Sequence, residues 1–419
     1  MDNLTQGGWR KTLAALLPLF GLVVALLGPL APGARAQDTS LEEIEAEDPW
    51  TKGDPELLKK LGIERIGAMP WTQSHASDGV VKTLGGIPVI FIETEHFRLA
   101  STLESYRPTG DRPEKERLEA EFAALKKRCN KFSKLPPKLD PWLRAHLYAY
   151  RMEQVYDQFM AAFDLKDADF ASPLRKSADG RSLGQGPYLG QKNKFTVLLT
   201  QSQSAMGRYL RANFNIEPEY SFRSAWPDGY LLAMNFEAFK SGGRDLDQAM
   251  HVAMAAALVQ NLLDGYRASF QAPPNWLRYG LAHWIARRID TRFNQWNAGG
   301  ASSDPESDRS HLWEPRVLGL IKNEAATPLS KMMRWHKYEE IQPREHMLAW
   351  ALVDWILTAR KDTAHDLLFE LAEPINDYGP TRGDKIVEQQ ERAFTKVWNM
   401  TPEQVDKAFQ TWVEKNYKK

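Results

Sequence analysis

Met250-His251-Val252-Ala253-Met254-Ala255, and further on Pro274-Asn275-Trp276-Leu277-Arg278-Tyr279-Gly280-Leu281-Ala282-His283-Trp284, decide how the rest of this chain is read. The first run sits inside residues 245–266, apolar on more than one side of a helix, so this helix is expected at the centre of the fold. Pro273-Pro274 leads into a second helix, residues 276–289. Gly280 lacks a side chain and permits a close helix approach. The two helices are expected to pack side by side, with His251 and Tyr279 in contact.

Two histidines at i and i+4 lie on one helical face and can grip one zinc ion. A Glu beside the first can activate the zinc-bound water. A ligand from a following helix completes the set. Here the first helix offers only His251. Val252 stands where the base belongs and cannot take a proton, and Ala255 cannot ligate. Tyr279 occupies the place of the third ligand, and its phenol keeps its proton up to a pH of about 10.

The order of elements and these motifs resemble the gluzincin-type (zincin, peptidase MA-like) domains of secreted bacterial proteins. Members show His-Glu-x-x-His, then Trp-Leu-x-Glu-Gly-x-Ala-x-Tyr, then a helical tail. Trp276, Leu277, Gly280, Leu281, Ala282 and Trp284 match the second motif, and His251 matches the first histidine. Ala349, Leu352, Val353 and Trp412 match the tail, with His346 where the family tends to place Tyr. Glu93-Thr94-Glu95-His96-Phe97 resembles the strand that opens such domains. The likeness spans roughly residues 90–417. It implies an α+β, mostly α, zincin-like fold: an α/β subdomain with a small sheet, then a helical subdomain. The departures fall on the functional positions, so the fold is carried over and the activity is not.

The 419 residues suffice for two or three subdomains. The expected division is a signal peptide at 1–36, an extension at 37–86, an α/β subdomain at 87–244 and a helical gluzincin-like subdomain at 245–419. Arg10 and Lys11 precede an apolar run, and Ala34-Arg35-Ala36 forms an A-x-A cleavage site, so the mature chain is expected to begin near Gln37. Gly21, Gly28, Pro18 and Pro29 weaken the run as a kept membrane span. Lys plus Arg equals Asp plus Glu at 54 each, which gives no reason to expect nucleic acid as a partner. Cys129 is the one cysteine, so no internal disulfide can form, which suits a bacterial periplasm or cell envelope.

Residues 87–94 read as a strand that continues through 100, and 195–199 and 229–234 read as further strands. Helices are expected over 55–61, 114–132, 142–163, 202–214, 344–358, 364–373 and 383–398. Thr401-Pro402-Glu403-Gln404 caps a last helix to 417. Residues 172–190 and 297–305 read as loops.

His251 on an apolar helix reads first as a hydrogen-bonded core histidine. The alternative is a metal-dependent hydrolase whose site is rearranged around His251, His283 and His346. Glu95 and His96 read as strand alternation. Three function classes follow. One is a non-catalytic exported pseudopeptidase binding a peptide or protein partner in a cleft lined by His251, Trp276, Tyr279, His283 and His346. The second is the rearranged enzyme, with zinc as cofactor; the first class needs none. The third is a structural envelope protein.

Overall fold

The computed structural model describes residues 47–72, 76–132, 134–170, 176–217, 221–226, 229–241, 244–245, 247–269, 273–294, 311–337, 340–373 and 384–418. The expected signal peptide, the acidic leader before residue 47 and the loop at 297–305 lie outside them.

The first half contains α1 (Pro55–Leu61), β1 (Ile63–Ile66), α2 (Ser77–Thr83), β2 (Ile90–Thr94), β3 (Phe97–Ser101), α3 (Arg112–Arg128) and α4 (Pro141–Ala162). Then come β4 (Phe195–Thr200), α5 (Gln203–Phe214), β5 (Ser221–Trp226) and β6 (Gly229–Asn235). The second half is helical: α6 (Asp247–Gly265), α7 (Asn275–Ile289), α8 (Trp313–Lys322), α9 (Leu329–Met332), α10 (Pro343–Ala359), α11 (Lys361–Leu371), α12 (Asp384–Trp398) and α13 (Pro402–Asn416). The fold is α+β and mostly helical. Among the described residues no helix is long and apolar enough to cross a membrane.

These six strands form one sheet in the order β1-β2-β3-β4-β6-β5, and two short strands, Lys240–Ser241 and Arg244–Asp245, pair separately. β3, β4 and β6 are parallel neighbours, while β1, β2 and β5 pair antiparallel. Period-two alternation divides the sheet's residues between two cores. Phe195, Val197 and Leu199 of β4 and Tyr230, Leu232 and Met234 of β6 join the large core. Leu198, Leu231 and Ala233 point the other way, onto Tyr209 and Leu210 of α5 and Val80 of α2. The large core continues without a break into the helical half.

All nineteen residues of α6 are buried. A helix apolar all round needs a partner on every side, and α6 finds α4, α7 and β6. Side chains finish the other helices. Asp140 caps α4 by accepting from the Leu143 N–H at 2.8 Å. Thr401 and Gln404 form the expected capping box at α13.

Four expectations need correction. Residues 87–100 are not one strand but the hairpin β2–β3, turning at Glu95-His96. β5 and the helices α2, α8 and α9 were not foreseen. The extension contributes an edge strand, β1, and Trp71, 1 % exposed, to the smaller core. Finally, Gly280 does not serve contact with α6. A Cβ there would stand 2.4 Å from the Ala349 carbonyl oxygen and 2.7 Å from Val353 Cγ2, so the close approach is to α10.

Candidate functional site

α6 is long enough to carry two separate polar clusters. The first surrounds His251, near its start. Asp247 accepts hydrogen bonds from Arg151 Nη1 at 2.7 Å, Arg144 Nη2 at 3.1 Å and the Tyr148 hydroxyl at 3.0 Å. Arg151 also donates to both oxygens of Glu121, at 3.0 and 2.9 Å. Bidentate pairing of this kind supplies geometry as well as energy. His251 Nδ1 lies 3.7 Å from Glu121 and has no hydrogen-bond partner. Burial, then Arg151 and Arg117, hold its pKa well below the ordinary histidine value. Groups that repel a proton also repel a metal cation. Val252 and Ala255 are fully buried in the apolar core. The default expectation for His251 is thus half met: it is a core histidine, but its Nδ1 is not hydrogen-bonded.

The α6–α7 register explains why His251 and Tyr279 serve different clusters. α6 ends at Gly265 and α7 begins at Asn275, so residues equally far from the connection face each other. Bonds at both ends fix this register. Near the connection, Arg278 donates to Asp264 at 2.9 and 2.7 Å; at the far end, Gln248 Nε2 donates to Asp290. Tyr279 therefore stands level with Asn261, about 15 Å along the α6 axis from His251, so the helices pack side by side but the expected His251–Tyr279 contact does not form.

At that level α6 presents Gln260, Asn261 and Asp264, the i, i+1, i+4 spacing of a His-Glu-x-x-His motif. Arg223 of edge strand β5 reaches all three. It donates to Asn261 Oδ1 at 2.8 Å, to Asp264 Oδ2 at 2.6 Å and to Gln260 Oε1. Arg278 holds the other Asp264 oxygen, and the Tyr230 hydroxyl donates to the Asp264 carbonyl at 2.7 Å. The acceptors that would converge on a cation converge on a guanidinium. Glutamine and asparagine are also poor zinc ligands, so these residues do not fit a gluzincin zinc ion.

The remaining sequence candidates divide again. His283 Nε2 and His346 Nδ1 are 3.0 Å apart, one donating and the other accepting. The Tyr279 ring lies 5.7 Å from His346. Burial lowers His346 to about 3. Burial, then His346 and Arg287, push His283 well below its usual range. Trp276 faces away from this pair: its indole N–H donates to Gln390 of α12 at 2.7 Å. His251, His283 and His346 do not converge as a set of ligand atoms within 4.8 Å of one another. His251, Trp276, His283 and His346 are all buried, and only Tyr279 is partly exposed, so they line no open cleft. A cavity of about 620 Å³ lies elsewhere, between the 176–183 loop, Tyr266 and Phe369 of α11.

The described residues do contain one group with metal-ligand geometry. Glu95, His96 and Asp167 each offer a ligand atom, all within 4.8 Å of one another. Glu153 of α4 accepts both the His96 backbone N–H, at 3.1 Å, and its Nδ1–H, at 2.7 Å. The imidazole stacks on Tyr156 at 3.6 Å between centroids. Burial opposes charging of His96, but Asp167 and Glu153 outweigh it and raise its pKa to about 9.

Sequence reasoning missed the 260–264 cluster because it searched for histidine. Equal spacing about the 265–275 connection was the signal that could have found it. No local signal joins His96 to Asp167; that is tertiary. Compared with protein-family models, with curated proteins and with solved structures, the chain matches none.

Proposed function

We propose that this chain is an exported, non-catalytic protein on a metallopeptidase-like scaffold, a pseudopeptidase. One observation carries the reading: Arg223 occupies the space among Gln260, Asn261 and Asp264. Peptide hydrolysis on this scaffold needs a metal and a base beside its bound water. Here a tethered cation engages the acceptors, and both Asp264 oxygens are taken, by Arg223 and Arg278. The His251 region supports the same reading, since burial, then the charges of Arg151 and Arg117, disfavour a cation on the imidazole. The rearranged hydrolase is less well supported, because His251 stands apart from the His283–His346 pair. A peptide or protein partner would meet the surface, where Tyr279 and Arg223 are partly exposed, rather than the buried His251 position. Export rests on the charged start, apolar run and A-x-A site of residues 1–36.

The test is a peptidase assay on natively purified protein, with added zinc and with chelator. Turnover at background is expected in both. Chelator-sensitive cleavage that disappears in His251→Ala or in Asp264→Asn would overturn the proposal.

A further inference from the structure

We propose that Glu95, His96 and Asp167 bind a divalent transition-metal ion, with Glu153 as the positioning residue that orients the imidazole. The site lies where the β2–β3 turn meets the segment following α4, on residues distinct from those of the polar clusters of α6.

Three observations converge. First, His96 is 6 % exposed and its orientation is fixed. Glu153 takes the Nδ1 side at 2.7 Å, which turns Nε2 toward Asp167 and Glu95. A carboxylate on the far nitrogen is the usual outer-shell partner of a metal-bound histidine; it sets the tautomer and raises ligand basicity. Second, Nε2 stands 3.5 Å from Asp167 Oδ1. That is long for an N–H···O hydrogen bond. It equals the separation, about 3.4 Å, of two ligands sharing a tetrahedral ion at bond lengths near 2.1 Å. The Tyr156 hydroxyl donates to the same Asp167 oxygen at 2.5 Å and so holds the carboxylate in place. Glu95 is exposed and closes the remaining gap by side-chain rotation. Third, the charge is right. Glu95, Glu153, Asp157 and Asp167 gather around one imidazole, and Arg128 is the cation that acts on this group, through Asp157. His251 differs: there burial, then Arg151 and Arg117, oppose a positive charge. One imidazole and two carboxylates suit zinc or a neighbouring first-row ion over calcium or magnesium. The ion would fasten the sheet hairpin to the end of α4.

The experiment is calorimetric titration of the natively purified, chelator-treated protein with Zn²⁺, paired with Co²⁺ absorption. One equivalent is expected to bind. His96→Asn and Asp167→Asn should each weaken binding at least about 10-fold, and Glu153→Gln about 10- to 100-fold while shifting the Co²⁺ ligand-field bands. Glu95→Gln, on an exposed side chain, should weaken binding with an unchanged circular dichroism spectrum, which separates ligation from folding. The proposal is overturned if no saturable binding occurs, as a purely ionic His96–Glu153–Asp167 cluster would give. It is equally overturned if Zn²⁺ binds with the same affinity in folded Glu95→Gln and Glu153→Gln.

Discussion

The two halves of α6 solve one problem in two ways. Both carry buried acidic groups that need cations. Around His251, Asp247 is served by Arg144 and Arg151 of α4, and Glu121 of α3 shares Arg151. This cluster is closed: the Arg144, Arg151 and Asp247 side chains are at most 2 % exposed. Around Asn261, Asp264 is served by Arg278 from the next helix and by Arg223 from the edge of the sheet, and the Arg223 side chain is 19 % exposed. The first cluster ties helices to one another deep in the core. The second ties the helical half to the sheet. Position along α6 separates the closed cluster from the partly exposed one.

Neutralising one arginine in each cluster breaks the comparison most sharply. Arg151→Met strands Glu121 and half of Asp247 in a water-free setting, and a loss of about 3–5 kcal/mol is expected from denaturant unfolding. Arg223→Met leaves Asp264 paired with Arg278, so a smaller loss is expected, about 1–3 kcal/mol, the cost of leaving buried amide groups unbonded. Equal losses would show that the second cluster is as closed as the first. Next in size is Gly280→Ala. Its Cβ meets backbone 2.4 Å away, which cannot rotate aside, so α7 and α10 must separate. About 1–3 kcal/mol of destabilisation is expected. An unchanged midpoint would refute the backbone contact and restore the expectation that Gly280 serves α6.

The smallest effect is a pH slope. The unfolded chain protonates His346 near pH 6.5, while the fold refuses the proton until about 3. The unfolded state therefore binds more protons across that window, and stability falls as pH drops through it, by up to about 1.4 kcal/mol per unit for this histidine. His346→Asn should flatten the profile between pH 6 and 5 relative to wild type. Identical slopes would mean that the buried pair accepts a proton.

Much of the framework was legible in the sequence. The apolar run of α6 and the Trp-Leu-x-x-Gly-x-Ala pattern carry their own geometry. So does Thr401, whose cap needs only its immediate neighbours. The matches at Gly280, Ala349 and Val353 turn out to be two sides of one helix crossing. What was hidden depends on distant partners. The β2–β3 turn contains no Gly or Pro, because Glu153 of α4 holds it from outside by gripping the His96 N–H. Edge strand β5 escaped notice because its Arg223 is polar yet points inward. The register of α6 against α7, which sets Tyr279 level with Asn261 rather than His251, is likewise written in neither helix alone.

The contact at Gly280 also bears on how this molecule moves. Where side chains separate two helices, those side chains can change rotamer and let the helices slide. At the closest point between α7 and α10 a Gly Cα faces a main-chain carbonyl, which cannot rotate aside. These helices are expected to move together, carrying His283 and His346 with them. The imidazole pair works as an internal rivet, and any opening of the helical half must find its hinge elsewhere.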